Sequence, residues 1–327
     1  MRHFPTALNA MCVAALVSCS SDSASGPSNP TAPYIVYGLP NGAVYRVEAK
    51  AGGVNQNVTT ALNALGAGRD EWLNVSPDGA LLVLATERFD AGCAGFVCLA
   101  LVKSDISSPE VIKVNGQVIH PAGFGAVANS GNLIVYEDAS GSQARDLWVI
   151  TRSVNTWSAP LQLTAASPYD YNSQPALSAD GSKVVFDCGP VPYGGVGTAI
   201  CEVGIGGTGF RVVLTTANNP PGTTAGGALH HADYAPDGSI VFEGDWDGER
   251  IWRLSPGTTV PVRVQPNSIN DNSPCVLSDG RIASLWLNRP GNGPGNHELK
   301  VMVSDGSSYV MALTGIDVLD GGIGCGG

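Results

Sequence analysis

Basic charge is scarce in this sequence: 17 lysines and arginines stand against 28 aspartates and glutamates, giving a net charge of −11 at neutral pH. No basic stripe with interleaved aromatics occurs, which argues against nucleic acid as a partner. No segment carries a long helical period, so helices are not expected to build the fold. A Gly-x-Ser-x-Gly elbow with following acid and histidine strands is missing, as is a Gly-x-x-x-x-Gly-Lys loop, so the usual marks of serine hydrolases and phosphate-binding enzymes are absent. No cysteine pair has the Cys-x-x-Cys spacing of a zinc knuckle. What the chain has instead is glycine, 42 residues of it, and short apolar runs.

The first segment is set apart from the rest. Arg2 and His3 precede the largely apolar "TALNAMCVAALV", too short to span a membrane, and the run stops at Ser18 and Cys19. Residues 1–18 are expected to form an export signal. The ending "LVSC" resembles a bacterial lipoprotein signal, which implies that Cys19 becomes the acylated first residue and anchors the chain to a membrane. Ser20 after that cysteine implies the outer membrane. Residues 19–33, "CSSDSASGPSNPTAP", read as a lipidated cysteine and flexible tether. Residues 34–327 are then the folded domain.

Strand signals fill that domain. "ALLVLATE", "NLIVYED", "KVVFDC", "SIVFEG" and "RIASLWL" are short runs bounded by turn residues, which predicts an all-β chain. Each follows a turn of one kind: "SPDG" at 76, "ANSG" at 128, "SADG" at 178, "APDG" at 235 and "LSDG" at 277. Glycine supplies the positive φ that such tight hairpins need. Two further strands follow each pair, so five copies of a four-stranded unit emerge. The N-terminal "YIVYGLPNGAVYRVEAKAGGVNQNVT" supplies strands two to four of a sixth copy, and the C-terminal "GIDVLDGGIGCGG" supplies its first. Complementary ends suit a ring closed by pairing its termini, hence a six-bladed β-propeller of four-stranded antiparallel blades.

These units carry a resemblance. "LNVSPDGALLVLATE", "QPALSADGSKVVFDC" and "ADYAPDGSIVFEGDWDGERIWRL" look like the WD-like, PD40-type propeller repeats of the TolB family. The resemblance implies the propeller fold over most of residues 34–327 and says little about function. TolB has an additional N-terminal α/β domain where this chain has only a tether, so TolB's partners are not carried over.

Cys12 lies in the signal and Cys19 at its end, leaving six cysteines. Cys93 with Cys98, and Cys188 with Cys201, are placed for local disulfides, as an oxidising compartment permits. In the propeller register Cys275 and Cys325 occupy neighbouring innermost strands, and a third disulfide is expected to lock the C-terminal strand into the ring.

The same register places "HHADYAPDG" at the start of the innermost strand of one blade. His230 and His231 correspond to Glu71 and Trp72, Ser173 and Gln174, and Asn272 and Ser273. His120 and His297 fall in loops on the same face, with Asp70, Asp170, Asp271 and Asp320 just before strand starts. The candidate rim is therefore His230, His231, Asp233, His120, Glu71, Gln174 and Asn272. Imidazole and carboxylate suit a divalent metal, so His230, His231 and Asp233 are candidate ligands. Adjacent histidines on a regular strand point to opposite faces, so at most one of the two is expected to face the channel. The plainer expectation is polar side chains that bond loop backbones. The acids of "GDWDGER" are too few for a calcium loop, and the glycines of "GNGPGN" and "GGVG" are turn material.

Together these readings predict a monomeric envelope lipoprotein whose propeller binds an envelope protein or glycan, with Trp246, Trp252 and Tyr193 as candidate contacts, Trp252 alternating within a strand and fitting the core equally well. No organic cofactor is expected. The competing expectation is a metal-dependent polysaccharide lyase or hydrolase with its site at the rim, because propellers host both binding modules and enzymes.

Overall fold

A computed structural model describes residues 33–139, 144–190, 198–265, 270–287, 297–318 and 322–327. The signal and tether, Cys19, Tyr193 and Asp320 lie outside the described residues.

The chain is all-β apart from short helical turns. The first strands are β1 (Tyr34–Gly38), β2 (Val44–Glu48) and β3 (Asn55–Asn57), followed by helix α1 (Thr59–Leu65). Next come β4 (Asp70–Val75), β5 (Leu81–Thr86), β6 (Cys98–Lys103) and β7 (Glu110–Val111), with a small hairpin, β8 (Lys113–Val114) and β9 (Gln117–Val118). Strands β10 (Gly125–Val127), β11 (Leu133–Ala139) and β12 (Arg145–Ser153) follow, and β13 (Thr156–Trp157) and β14 (Leu161–Gln162) both pair with β12. The chain continues through β15 (Tyr171–Leu177), β16 (Lys183–Gly189), β17 (Ala199–Gly204) and β18 (Arg211–Leu214), then β19 (Leu229–Tyr234), β20 (Ile240–Gly244), β21 (Arg250–Leu254) and β22 (Val262–Arg263). Last are β23 (Asp271–Val276), β24 (Ile282–Leu287), β25 (His297–Met302), β26 (Tyr309–Ile316) and β27 (Ile323–Gly326).

Pairing follows the repeat. Antiparallel meanders form β4-β5-β6-β7, β19-β20-β21-β22 and β23-β24-β25-β26. The meanders begun by β10 and β15 are joined into one sheet by a single parallel pair, Arg145 with Tyr171. The remaining sheet is β27-β1-β2-β3: Ile35 pairs with Cys325 and Tyr37 with Ile323, so the C-terminal strand completes the N-terminal sheet. First strands touch in the order β27, β4, β10, β15, β19, β23, and β23 touches β27.

The repeated turns have a common chemistry. In the first, Ser76 Oγ donates to Asp78 Oδ1 at 2.7 Å and Gly79 N donates to Ser76 O at 2.8 Å; Ser178, Asp180 and Gly181 repeat both bonds. Gly79 has φ +74, and a Cβ there would lie 2.5 Å from Gly327 Cα, so glycine serves both the turn and the seat of the C-terminus.

Apolar clusters form between successive sheets. Ile35, Val47 and Leu277 share one with Leu285 and Val301, while Val36 and Val44 share another with Leu84 and Val102. Strands buried on both faces produce the continuous apolar runs of the sequence. Helix α1 was not expected; its buried Leu62 joins the second cluster, and seven residues are too few to announce a helical period. Trp246 and Trp252 are not surface contacts: each is 2% exposed. Their rings meet edge to face at 5.3 Å, and Trp252 Nε1 donates to Gly244 O at 3.0 Å. Trp246 lies in a polar loop between β20 and β21 and folds under it, while Trp252 turns inward from β21; both rings supply core.

Three cysteine pairs form disulfides, Cys93 with Cys98, Cys188 with Cys201 and Cys275 with Cys325, at Cα separations of 5.3, 5.9 and 5.9 Å. Such bonds are consistent with an oxidising periplasmic or envelope location.

Candidate functional site at the starts of the first strands

A cavity of about 300 Å³ runs between the first strands, with Gln174 and His231 toward the strand starts, Ala126 and Cys275 further along, and Asp78 and Pro236 at the turns. The strand starts are irregular in a repeated way. Pairing breaks between Glu71 and Asn74, Ser173 and Ala176, His230 and Asp233, and Asn272 and Cys275. Inside each break one non-glycine residue has left-handed backbone: Trp72 (φ 48), Gln174 (φ 55), His231 (φ 50) and Ser273 (φ 48). A β-bulge of this kind costs on the order of 1–3 kcal/mol in backbone strain and turns an N–H away from its own ladder.

Those N–H groups reach across to the neighbouring sheet. Gln174 N donates to Glu137 Oε1 at 2.7 Å, His231 N to Asp187 Oδ2 at 3.1 Å, and Ser273 N to Glu243 Oε2 at 2.9 Å. Each acid sits on the second strand of the preceding meander. These three carboxylates are absent from the sequence-predicted site, although a signal was there: "IVYE", "VVFD" and "IVFE" each end an apolar strand with an acid. An acid buried in such a strand needs donors, and the bulged strand beside it supplies them.

The bulge also changes the expectation for the histidine pair. Regular alternation would send the rings to opposite faces; instead they meet edge to face at 6.4 Å. His231 lines the cavity, and its Nδ1 lies 3.2 Å from Glu243 Oε2. His230 is buried, with Nδ1 3.7 Å from Asp187 Oδ2. Burial pushes its acidity toward the neutral form, but Asp187, Glu243 and Asp245 outweigh that and raise its pKa. Burial likewise pushes Glu243 up, and the His231 bond and charge prevail and lower it. Asp245 and Glu249 are raised, first by burial and then by neighbouring carboxylates.

The other predicted site residues take separate roles. Asp233 staples two sheets: Oδ2 accepts Val276 N at 2.7 Å and Oδ1 accepts Tyr234 N at 2.8 Å, while burial pushes its carboxyl up to about 6. Glu71 pairs with Arg69 at 2.6 Å. His120 is exposed, with Nδ1 3.0 Å from Val97 O. His297 accepts Val318 N at Nδ1, 3.3 Å away. Gln174 Oε1 accepts His231 N at 3.3 Å, so these two do converge. Asn272 Oδ1 is buried. Asp70 and Asp271, expected among the rim groups, are buried in ion pairs with Arg88 at 2.9 Å and Lys300 at 2.6 Å. Thus His230, His231 and Asp233 each engage a different partner. Among the described residues no three or more His, Cys, Asp or Glu side chains are grouped to hold a metal ion.

The chain's coordinates align with solved structures. One is the structure of putative TolB from Agrobacterium tumefaciens, at 17% identity and a TM-score of 0.57, covering 90% of this chain and 96% of that one. The fold is a TolB-like β-propeller. TolB from Acinetobacter baumannii aligns at 17% identity and a TM-score of 0.50 over 79% of this chain and 56% of that one. A puromycin-hydrolyzing peptidase from Mycobacterium tuberculosis aligns at 12% identity and 0.52, covering 89% of this chain and 47% of that one, so the propeller spans about half the peptidase's length. No protein-family model matches the sequence, and no curated protein matches it. In a propeller, first strands surround a central channel. The bulges at Trp72, Gln174, His231 and Ser273 all lie at the starts of first strands, where carboxylates of the preceding meanders hold three of them.

Proposed function

We propose that the chain is a cell-envelope scaffold, a six-bladed propeller tethered through a lipid on Cys19, that binds a protein partner at the channel mouth formed by the bulged strand starts. The β27 pairing with β1 and the cyclic order of first-strand contacts support the closed six-bladed reading. Support for the anchor comes from the sequence "LVSC" alone. The observation that carries the binding reading is the mouth itself. His231, Gln174 and Ser273, from three sheets, are held by hydrogen bonds to neighbouring blades. Such groups are ordered before any partner arrives, which lowers the entropic cost of association. Trp246 and Trp252, expected as contacts, are core and take no part in it. The lyase or hydrolase reading has less support, because its three candidate ligands are engaged elsewhere.

The test is a photo-crosslinking amino acid placed at Glu71, at the mouth, and in a second strain at Val154, 90% exposed on a distant loop. A discrete protein adduct in cells at Glu71 and none at Val154 supports the scaffold reading. Adducts at neither position, or equally at both, would overturn it. Stoichiometric transition metal in the purified chain, lost in a His230→Ala, His231→Ala variant, would favour the lyase or hydrolase instead.

A further inference from the structure

The cavity between the first strands opens to solvent at the hairpin turns. Among the residues that line it, the exposed ones are Asp78, Asn129, Ala179, Pro236 and Ser278, one from the turn between first and second strands in each of five meanders. Inward of that ring the wall is mainly apolar, with Ala126, Ala176, Ala232, Val276 and the disulfide of Cys275 with Cys325. Phe124, Gln174 and His231 lie toward the far end. Side chains at equivalent positions brace this wall: Asn74, Asp233 and Cys275 each resume the strand pairing after a bulge. Asn74 Nδ2 donates to Gly125 O at 3.0 Å, Asp233 Oδ2 accepts Val276 N at 2.7 Å, and Cys275 is bonded to Cys325, so each bridges to the next first strand. The fourth such position is Ala176, a methyl group where the others reach across. Protein interiors are otherwise close-packed, so a braced wall with one short side chain keeps a preformed space open.

We propose that this cavity is the binding site of a small uncharged aromatic molecule with a hydroxyl head, entered from the turns. Its volume is about 300 Å³, roughly twice the ~150 Å³ that holds benzene in an apolar protein cavity, so one ring or two fused rings fit. Alanine methyls, the Phe124 ring and the disulfide sulfurs offer apolar, polarizable contacts to an aromatic body. Charge disfavours the ionic alternatives. Among the described lining residues there is no lysine or arginine to answer an anion, and Asp78 and Asp233 repel one. Arg253 and Arg281, which reach two of the turns, are held by Asp237 at 2.6 Å and Asp279 at 2.8 Å. A cation would lose its hydration against the apolar wall, and Asp233 already takes two backbone N–H groups. A hydroxyl, both donor and acceptor, suits the polar groups on the wall. Each Asp233 oxygen keeps acceptor capacity beyond its one N–H, and Gln174, whose Oε1 takes His231 N, carries an amide donor. The site is entered at the other end of the first strands from the mouth proposed for a protein partner, and it stands or falls separately.

The experiment is calorimetric titration of the full-length chain with 2-naphthol, 2-naphthoate and 2-naphthylmethylammonium, which share one ring system and differ in charge. 2-Naphthol is expected to bind once per chain, at least about tenfold more tightly than either ion. Ala176→Leu, which fills the position that lacks a bridge, should weaken 2-naphthol by about tenfold or more, and Ala176→Gly should keep it, with the urea midpoint as the check on folding. Pro236→Trp narrows the entrance on an exposed turn, and association followed by naphthol fluorescence in stopped flow should slow by about tenfold or more. No binding of 2-naphthol, or equal binding of all three probes, would overturn the proposal. So would an unchanged affinity in a folded Ala176→Leu variant; if that variant does not fold, an unchanged association rate in Pro236→Trp does so in its place.

Discussion

Asp187 on β16 accepts the backbone N–H of His231 on β19 at 3.1 Å, so the left-handed bulge of one sheet is held by a carboxylate of the sheet before it. Glu137 with Gln174 and Glu243 with Ser273 repeat the arrangement at two other strand starts. Strain in the bulge and desolvation of the acid are each unfavourable alone, and the bond between them offsets both.

Replacing Asp187 with asparagine keeps the shape but removes the charge from that bond. The Asp187→Asn variant should lose about 1–3 kcal/mol, the range for a charge-assisted hydrogen bond at a buried site. Urea denaturation reads this as a lower midpoint with an unchanged slope. An unshifted midpoint would show that the bulge is stable without its carboxylate.

Glu137 gives a pH prediction. Burial pushes its carboxyl up to about 7 from the ordinary 4.5, against the lowering effect of bonds from Gln174 N, Ser173 and Phe124 N. The folded state therefore binds this proton more tightly than the unfolded state does, so the group favours folding at low pH and that advantage is lost as pH rises toward about 7. Between about pH 4 and about pH 8 the stability of the protein relative to Glu137→Gln should fall by on the order of 3 kcal/mol. Parallel denaturation of the two proteins across that interval checks the sign, and a constant difference would refute it.

The disulfide between Cys275 and Cys325 ties β23 to the closing strand β27 over a sequence separation of 50. Loop entropy for a closure of that size is on the order of 4 kcal/mol, and measured values often fall below it. Cys275→Ala with Cys325→Ala should lower the denaturation midpoint by more than loss of the pair Cys93 and Cys98, whose separation is 5. The order of the two midpoints is the readout.

Trp246 packs against Phe242 at 6.0 Å and Trp252 at 5.3 Å, and its Nε1 donates to Thr216 O at 2.7 Å. Trp246→Ala should destabilise the fold by about 3–5 kcal/mol, as large aromatic truncations in cores do. Near-neutral stability in thermal denaturation would return this residue to the surface role that its polar neighbours suggest.

Much of the architecture was legible because it is local. Asp-Gly turns, alternating apolar runs and their spacing announce hairpins and their repetition, and the split repeat at the two ends anticipates the pairing of β1 with β27. The pairing of Cys275 with Cys325 followed from that register, and the other two from the short loops their cysteines flank. The site was less legible. The left-handed backbone at His231 has no mark in "LHHADY", because histidine is not a turn residue and the bulge is imposed by a carboxylate 44 positions away. Asp70 and Asp271 looked like rim acids by position, yet their partners Arg88 and Lys300 are fixed by strands that fold against them. Trp246 was expected outside because local polarity cannot say which way a ring turns, and for Trp252 the strand pattern left both faces open. The sequence by itself determined the repeated strands, their turns and the order of pairing within each unit, since those depend on neighbours along the chain. Only the tertiary structure decided which buried acids meet which N–H groups, because contacts between sheets join residues that no local pattern relates.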